Sequence, residues 1–353
     1  MQGGLTSHSR PWFKLGLLDR DRAEYGPHKV WLEDAERIMY MVYDQSNFYN
    51  VIHTAYEEQG GFATTVCYQE DDPNTISHFT LFTAGEYRLA VGPNGKADTI
   101  FRRIWMTAIQ MARFFGENSL SNETKNLLNT NPYEWVEVML VLEPNDGRDI
   151  TKIDNLNMPY RSVWFELSQS ERVLRRSGFN EMPAAVSRWA VVGQNPYGTC
   201  PGHDALGNAK MLQEMEKSSL KSIHKENDPP MLVPSELKDI LSLLPGAKNV
   251  YDGKDEKAVR PLYQIKPQVD RTEAKIERVE QKIQKTFYND LFLLITDRPN
   301  MTAYEVAERQ EEKLVLLGPT IERQINELLD PTVERTFNIC LRRFFGASLS
   351  SSS

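Results

Sequence analysis

The sequence predicts an α+β fold with long helices, and three features carry that reading. Val269, Ile276, Val279, Ile283, Phe287, Leu291 and Leu294 recur at spacings of mostly three and four residues, which lays a narrow apolar stripe along one helix face. Trp135-Val-Glu-Val-Met-Leu-Val-Leu142 has the β-branched and apolar content of a strand, and Gly92-Pro-Asn-Gly95 is a strong turn signal between two further strands. Most strand-like segments precede residue 200, whereas the long helical patterns follow it.

Taken in order, residues 1–25 contain Thr6-Ser-His-Ser-Arg-Pro-Trp-Phe and open abruptly, with no approach segment. From His28 to about Gln59 the pattern is helical. Trp31, Ala35, Ile38 and Val42 form the first stripe, Ser46-Asn47 break it, and Phe48, Ile52, Ala55 and Tyr56 form the second. Gly60-Gly61 reads as a helix C-cap. Strands are expected at 62–68, 75–83, 86–91, 97–105, 135–142, 162–167 and 172–176, with a short helix at 106–115 and a polar loop at 119–131. A helix begins around Asp204, with Leu206, Ala209, Leu212, Met215, Leu220 and Ile223 as its apolar side, and ends before Asp228-Pro229-Pro230. A small α/β insert follows. The helix from Val269 is expected to run to Ile295 behind a capping box of Asp270 and Glu273. Thr296-Asp-Arg-Pro-Asn300 interrupts it, since Pro299 pushes Arg298 out of helical geometry. A last helix opens at Thr302 with Glu305, and Gly318-Pro319 and Pro331 should kink it.

The 353 residues, 40% of them hydrophobic and 25% charged, allow about two domains with a real core. A formal net charge of −8 disfavours tight, static nucleic-acid binding, which needs Lys and Arg to replace phosphate counterions. Cys67, Cys200 and Cys340 are too scattered for a disulfide framework or a zinc pattern and fit a reducing compartment. No apolar run approaches the ~18 residues of a membrane span, and no charged-then-apolar leader pattern is present.

Chemistry-bearing groups are few. There is no Gly-rich loop with Lys-Ser/Thr and no dinucleotide fingerprint, so no cofactor is expected and no metal site is assigned. His53 and Glu57 form an i,i+4 pair that reads better as a polar helix face than as acid–base machinery. Cys200 and His203 invite a nucleophile–base reading, yet the segment lies at a helix entry, where a turn and cap suffice. Lys210, Lys217, Lys221 and Lys225 interleave with Glu214 and Glu216. Lys275, Arg278, Lys282 and Lys285 do the same with Glu273, Glu277 and Glu280. Each set is either a functional face or a solvated one with ordinary salt bridges, which contribute little.

The run DLFLLITDRPNMTAYEVAERQEEKLVLLGPTIERQINELLDPTVERTF closely resembles the head-to-tail connecting (portal) proteins of short-tailed bacteriophages. So do SRPWFKL, SNFYNVIHTAYEEQGGFATTVCY and SGFNEMPAAVSRWAVVGQNPYG. The resemblance implies a portal-type fold. It places a mixed α/β wing at 1–200, stem helices at 201–228 and 269–295, and a small α/β clip at 229–268. A tunnel loop at 296–301, a kinked return helix at 302–345 and a disordered serine tail at 346–353 complete the plan. Relative to the family, the chain is expected to be shortened at both ends.

By the same resemblance the protein is a structural component of the virion and not an enzyme. Twelve copies would form a ring at one capsid vertex, after assembly in the host cytoplasm. Double-stranded DNA would pass non-specifically, touching Thr296, Asp297, Arg298, Pro299 and Asn300. An acidic wall suits sliding better than adhesion. Lys275, Arg278, Lys282 and Lys285 would line the lumen or an inter-subunit face, and Ser235, Lys238, Lys248 and Lys254 would form the clip's docking surface. The implied partners are other copies of the chain, a terminase ATPase, a tail adaptor, and capsid and scaffolding proteins, with no membrane. The rivals are an enzyme with a Cys200/His203 or His53/Glu57 site and a prophage remnant that does not assemble.

Overall fold

A computed structural model describes residues 2–17, 19, 25–152, 154–168, 172–227, 231–232, 260–261, 269–289 and 317–345. It is a mixed α+β structure, and the chain divides into two compact units. One comprises Met1–His203 with Leu291–Ser353, and the other is the intervening stretch Asp204–Asp290.

The first unit begins with a short turn of helix, α1 (Gln2–Leu5), followed by α2 (Gly26–Gln45) and α3 (Phe48–Phe62). Pro27 sits in the first turn of α2, where its fixed φ fits and its missing N–H costs nothing. The buried stripe of α2 is Leu32, Ala35, Met39, Val42 and Tyr43, rotated from the expected one. Trp31 is displaced to the rim, edge-on to Phe337 at 6.2 Å. Asn47 explains the expected break between the helices. Its side chain donates to the Phe79 carbonyl at 2.7 Å and accepts from the Phe79 N–H at 2.9 Å, which substitutes for a strand partner. The Gly60-Gly61 pair does not cap α3. The helix runs through it, and Ala63 caps in the left-handed region with φ 69°. The packing demand here falls on Gly202, while a Cβ on Gly60 or Gly61 would meet nothing within 4 Å. A Cβ on Gly202 would lie 2.7 Å from the Gly61 carbonyl and 2.8 Å from that of Gly60, so the backbones cross where only glycine fits.

Strands β1 (Thr64–Asp72), β2 (Ile76–Phe82) and β8 (Ala184–Arg188) form an antiparallel sheet in the order β2-β1-β8. A second sheet runs β3 (Tyr87–Val91), β4 (Ala97–Thr107), β5 (Trp135–Pro144), β6 (Tyr160–Glu166) and β7 (Val173–Phe179). β4 and β5 pair from Ile100↔Leu142 to Thr107↔Trp135. This register puts Ile100, Val138, Leu140 and Leu142 into a core shared with Met111, Leu120 and Trp164.

Two helices link β4 to β5. In α4 (Ala108–Phe115) the Thr107 hydroxyl and the Gln110 side chain form a reciprocal capping box. In α5 (Asn122–Thr130) Ser121 is the N-cap. The sequence expectation of a polar loop at 119–131 is therefore wrong. The helix is held by the fully buried Glu166, which accepts from the Ser121 N–H at 2.9 Å, the Ser121 hydroxyl at 2.6 Å and the Thr124 hydroxyl at 2.8 Å. Strand β8 was not anticipated at all.

Residues 317–345 are helical, with α8 (Asp330–Cys340) flanked by π turns at Ile325–Leu329 and Leu341–Phe345. The first π turn lies directly before Pro331 and absorbs the irregularity that the proline imposes. This segment docks on the three-stranded sheet through buried polar ties. Arg188 pairs with Glu327 at 2.7 Å, and the Glu327 carboxylate also accepts from the Arg188 main-chain N–H at 2.9 Å. The Thr336 hydroxyl accepts from Tyr43 at 3.1 Å and from Gln69 at 2.8 Å. Arg335 donates to the Gln69 carbonyl at 3.0 Å and to Glu181 at 3.2 Å.

The second unit holds most of α6 (Pro201–Asn227), a two-residue antiparallel ladder of β9 (Met231–Leu232) and β10 (Arg260–Pro261), and α7 (Val269–Thr286). The expectation that the helix from Val269 continues unbroken to Ile295 fails. α7 ends at Thr286, and Tyr288 takes a left-handed φ of 56°. Most of the expected α/β insert, the loop at 296–300 and the opening of the last helix at Thr302 lie outside the described residues.

Two predictions follow from this packing. Glu327→Gln keeps the shape but leaves the Arg188 guanidinium buried beside a neutral amide. It should lower unfolding stability by about 3 kcal/mol in denaturant titrations, and an unchanged midpoint would refute the pairing. Burial pushes the Cys67 thiol up to about 12 and the Cys340 thiol up to about 11, and raises the Tyr43 phenol as well. These groups keep their protons when folded, while the unfolded chain releases them from its ordinary thiol value of 9.0 upward. Their contribution is full below pH 9.0 and is lost as pH rises toward the folded values. The midpoint of thermal unfolding should be level from pH 7 to 8.5 and fall across about pH 9 to 11.

Candidate functional site

The candidate surface is the charged exterior of α7. Lys275, Arg278, Lys282 and Lys285 are all exposed, as are Glu273, Glu277 and Glu280. At about 100° of rotation per residue, the four cations fall within a sector of about 80° and the three carboxylates within a sector of about 60°, centred about 150° away. Ile276, Val279 and Ile283 occupy the angle between the two sectors, with Val279 buried and the other two half-buried. The helix thus has an apolar stripe with an acidic flank on one side and a basic flank on the other. The charges alternate in sequence but are sorted in space. None of these seven side chains makes an ion pair among the described residues, so the ordinary salt-bridge reading does not describe α7.

α6 differs. Lys217 reaches Glu214 at 3.8 Å, an exposed i,i+3 pair of little energetic weight. Its expected apolar side does not form a buried stripe. Leu206 is 51% exposed, Leu220 57% and Ile223 42%, with only Leu212 and Met215 half-covered.

The enzyme-like candidates are not assembled. Cys200 is buried with Ala63 and Trp189, whereas His203 is exposed one helical turn later. The contact joining those two residues is the main-chain bond from the His203 N–H to the Cys200 carbonyl at 3.0 Å. A thiol enclosed by apolar groups meets no base there. His53 and Glu57 approach to 3.4 Å, but both side chains are more than half exposed on α3, without the enclosure that tunes a general base. No cluster of three potential metal ligands occurs among the described residues. Ser235, Lys238, Lys248 and Lys254, and Thr296, Asp297, Arg298, Pro299 and Asn300, lie outside the described residues.

Sequence reasoning missed the outer face of the five-stranded sheet. Trp105 and Trp135, on adjacent strands, are 54% and 59% exposed, and Leu167 joins them. Phe165 and Met139 are paired across β5 and β6 and half-buried on the same face. Arg103 pairs with Glu137 within this face and lies over the Trp105 ring at 5.7 Å. This sheet face is apolar for a solvent-facing one, with an ion pair embedded in it. Its signal was in the sequence, because β5 is apolar at nearly every position and not at alternate ones.

Residues 1–344 match the family described as "Bacteriophage head to tail connecting protein". The chain is 39% identical to the portal protein of Salmonella phage epsilon15, across 97% of this chain and 63% of the relative. It is 37% identical to a protein named "Probable portal protein" in Bordetella phage BPP-1, across 96% of this chain and 62% of the relative. The chain therefore spans a little over three fifths of the length of these curated relatives.

Cys67, Cys200 and Cys340 are all free and buried, so native protein should not react with a thiol-specific aromatic disulfide on the minutes scale. All three thiols should titrate once denaturant is added. Fast labelling of Cys200 in the folded protein would restore the nucleophile reading.

Proposed function

Because this chain belongs to the bacteriophage head to tail connecting protein family, we propose that it is a portal subunit with a structural, non-enzymatic role. Twelve copies form a ring at one vertex of the capsid, assembled in the host cytoplasm and retained in the virion. Double-stranded DNA passes through the ring without sequence readout during packaging and ejection. The terminase ATPase docks first and the tail adaptor later, and capsid and scaffolding proteins surround the ring. The observation that carries this reading is the match over residues 1–344 together with relatives named as portal proteins.

The division of the chain supports it. A compact unit is left at His203 and resumed at Leu291, with a helix at each end of the excursion. We assign the first unit to the wing, α6 and α7 to the stem, and the stretch between them to the clip. Residues 296–300 take the place of the channel loop, and the clip residues Ser235, Lys238, Lys248 and Lys254 that of the motor-docking surface, by resemblance alone. The net charge of −8 supports a conduit that does not grip its cargo. A single cation per subunit in that loop, Arg298, beside Asp297, tracks phosphate weakly.

The test is native mass spectrometry of the purified chain with negative-stain images of the same sample. A closed ring of about twelve subunits with a central hole is expected, as closed cyclic symmetry requires. A monodisperse monomer at all concentrations would overturn the proposal.

A further inference from the structure

On α7, neighbours three or four residues apart face one another on the helix surface. Among the exposed charged residues, these neighbours are Glu273 with Glu277, Glu277 with Glu280, Lys275 with Arg278, Arg278 with Lys282, and Lys282 with Lys285. All are like-signed, and no opposite-signed pair of these residues falls at either spacing. A solvated helix gains from the reverse arrangement and loses from this one. The helix thus accepts a local penalty that exposure alone does not explain. Sorting the charges into flanks on either side of Ile276, Val279 and Ile283 makes one edge of the helix the electrostatic complement of the other.

We infer that α7 is a two-edged assembly strip, whose acidic flank at Glu273, Glu277 and Glu280 docks on the basic flank at Arg278, Lys282 and Lys285 of α7 in a second copy of this chain. The contact is heterologous. The acidic edge used on one side leaves the basic edge free on the other, so copies add in one direction until the rotation closes. It also fixes polarity, because a copy offered the wrong edge meets like charge. The inference rests on the ring reading above and assigns the basic flank to subunit contact, not to the DNA-facing lumen.

Two paired reversals test it in the full chain: Arg278→Glu with Lys282→Glu, and Glu277→Lys with Glu280→Lys. Each introduces opposite-signed neighbours within the helix, so neither weakens α7 itself, and circular dichroism confirms the fold. Native mass spectrometry should show the oligomer fraction falling by about tenfold or more for either reversal. The chain carrying both should recover, because exchanged flanks are again complementary. Raising the salt should weaken the wild-type oligomer. Carbodiimide coupling of mixed isotope-labelled chains should join a carboxylate of 273–280 to a lysine of 275–285 on another copy.

Rings from both single reversals would overturn the inference while leaving the ring reading intact, and altered DNA retention in the basic-flank variant alone would then place that flank in the lumen. Open oligomers that follow the same loss and recovery would support the strip and overturn the closed ring. Wild-type monomers without interchain coupling would overturn both.

Discussion

The docking of residues 317–345 onto the three-stranded sheet is the constraint on which the first unit depends. Its chain is left at His203 and resumed only at Leu291, so two parts distant in sequence must be rejoined within one unit. Apolar contact alone would do this loosely, because a helix can slide or rotate on a sheet. The ties are instead directional. Arg188 grips Glu327, and Tyr43 and Gln69 converge on one hydroxyl, that of Thr336. Arg188, Tyr43, Gln69 and Thr336 are buried and Glu327 is partly so, and a shift of one residue would leave them unsatisfied, which selects a single register for the returning helix. The π turn before Pro331 belongs to the same constraint, since it sets the rotation at which Thr332, Arg335 and Thr336 reach the sheet.

Much of the fold was legible because its signals are local. The Gly92–Gly95 turn, the apolar run of β5 and the break at Ser46-Asn47 each follow from the residues at that place. What escaped depends on distant residues. α5 has a polar sequence that reads as a loop, and its stability comes from Glu166, 45 residues later in the chain. Gly60 and Gly61 look like a cap, yet the helix runs through them, and the glycine the contact requires is Gly202, 141 residues beyond Gly61. The rotation of the α2 stripe away from Trp31 is set by the aromatic packing of Tyr43 against Phe48 and Phe79.

The candidate surface was half legible. Its cations could be named from sequence, but alternation along the chain suggested mixing, and only projection onto the helix separates the signs. Cys200 and His203 show the opposite error. Three residues of sequence look like proximity, but a helix entry turns one side chain into the core and leaves the other outside. Family membership supplied what neither route could, namely a kinship with proteins named as portal proteins.

The Asn47–Phe79 contact has a bearing on how the chain meets other chains during synthesis. β2 is the outer strand of its sheet, and an outer strand with free N–H and C=O groups recruits any strand that drifts past. Asn47 occupies both groups of Phe79 at the middle of β2 with a side chain instead of a backbone. A stray strand can therefore pair with β2 only by displacing an intramolecular contact. In a nascent pool crowded with identical chains, this closes off a route into irregular aggregates before productive encounters occur.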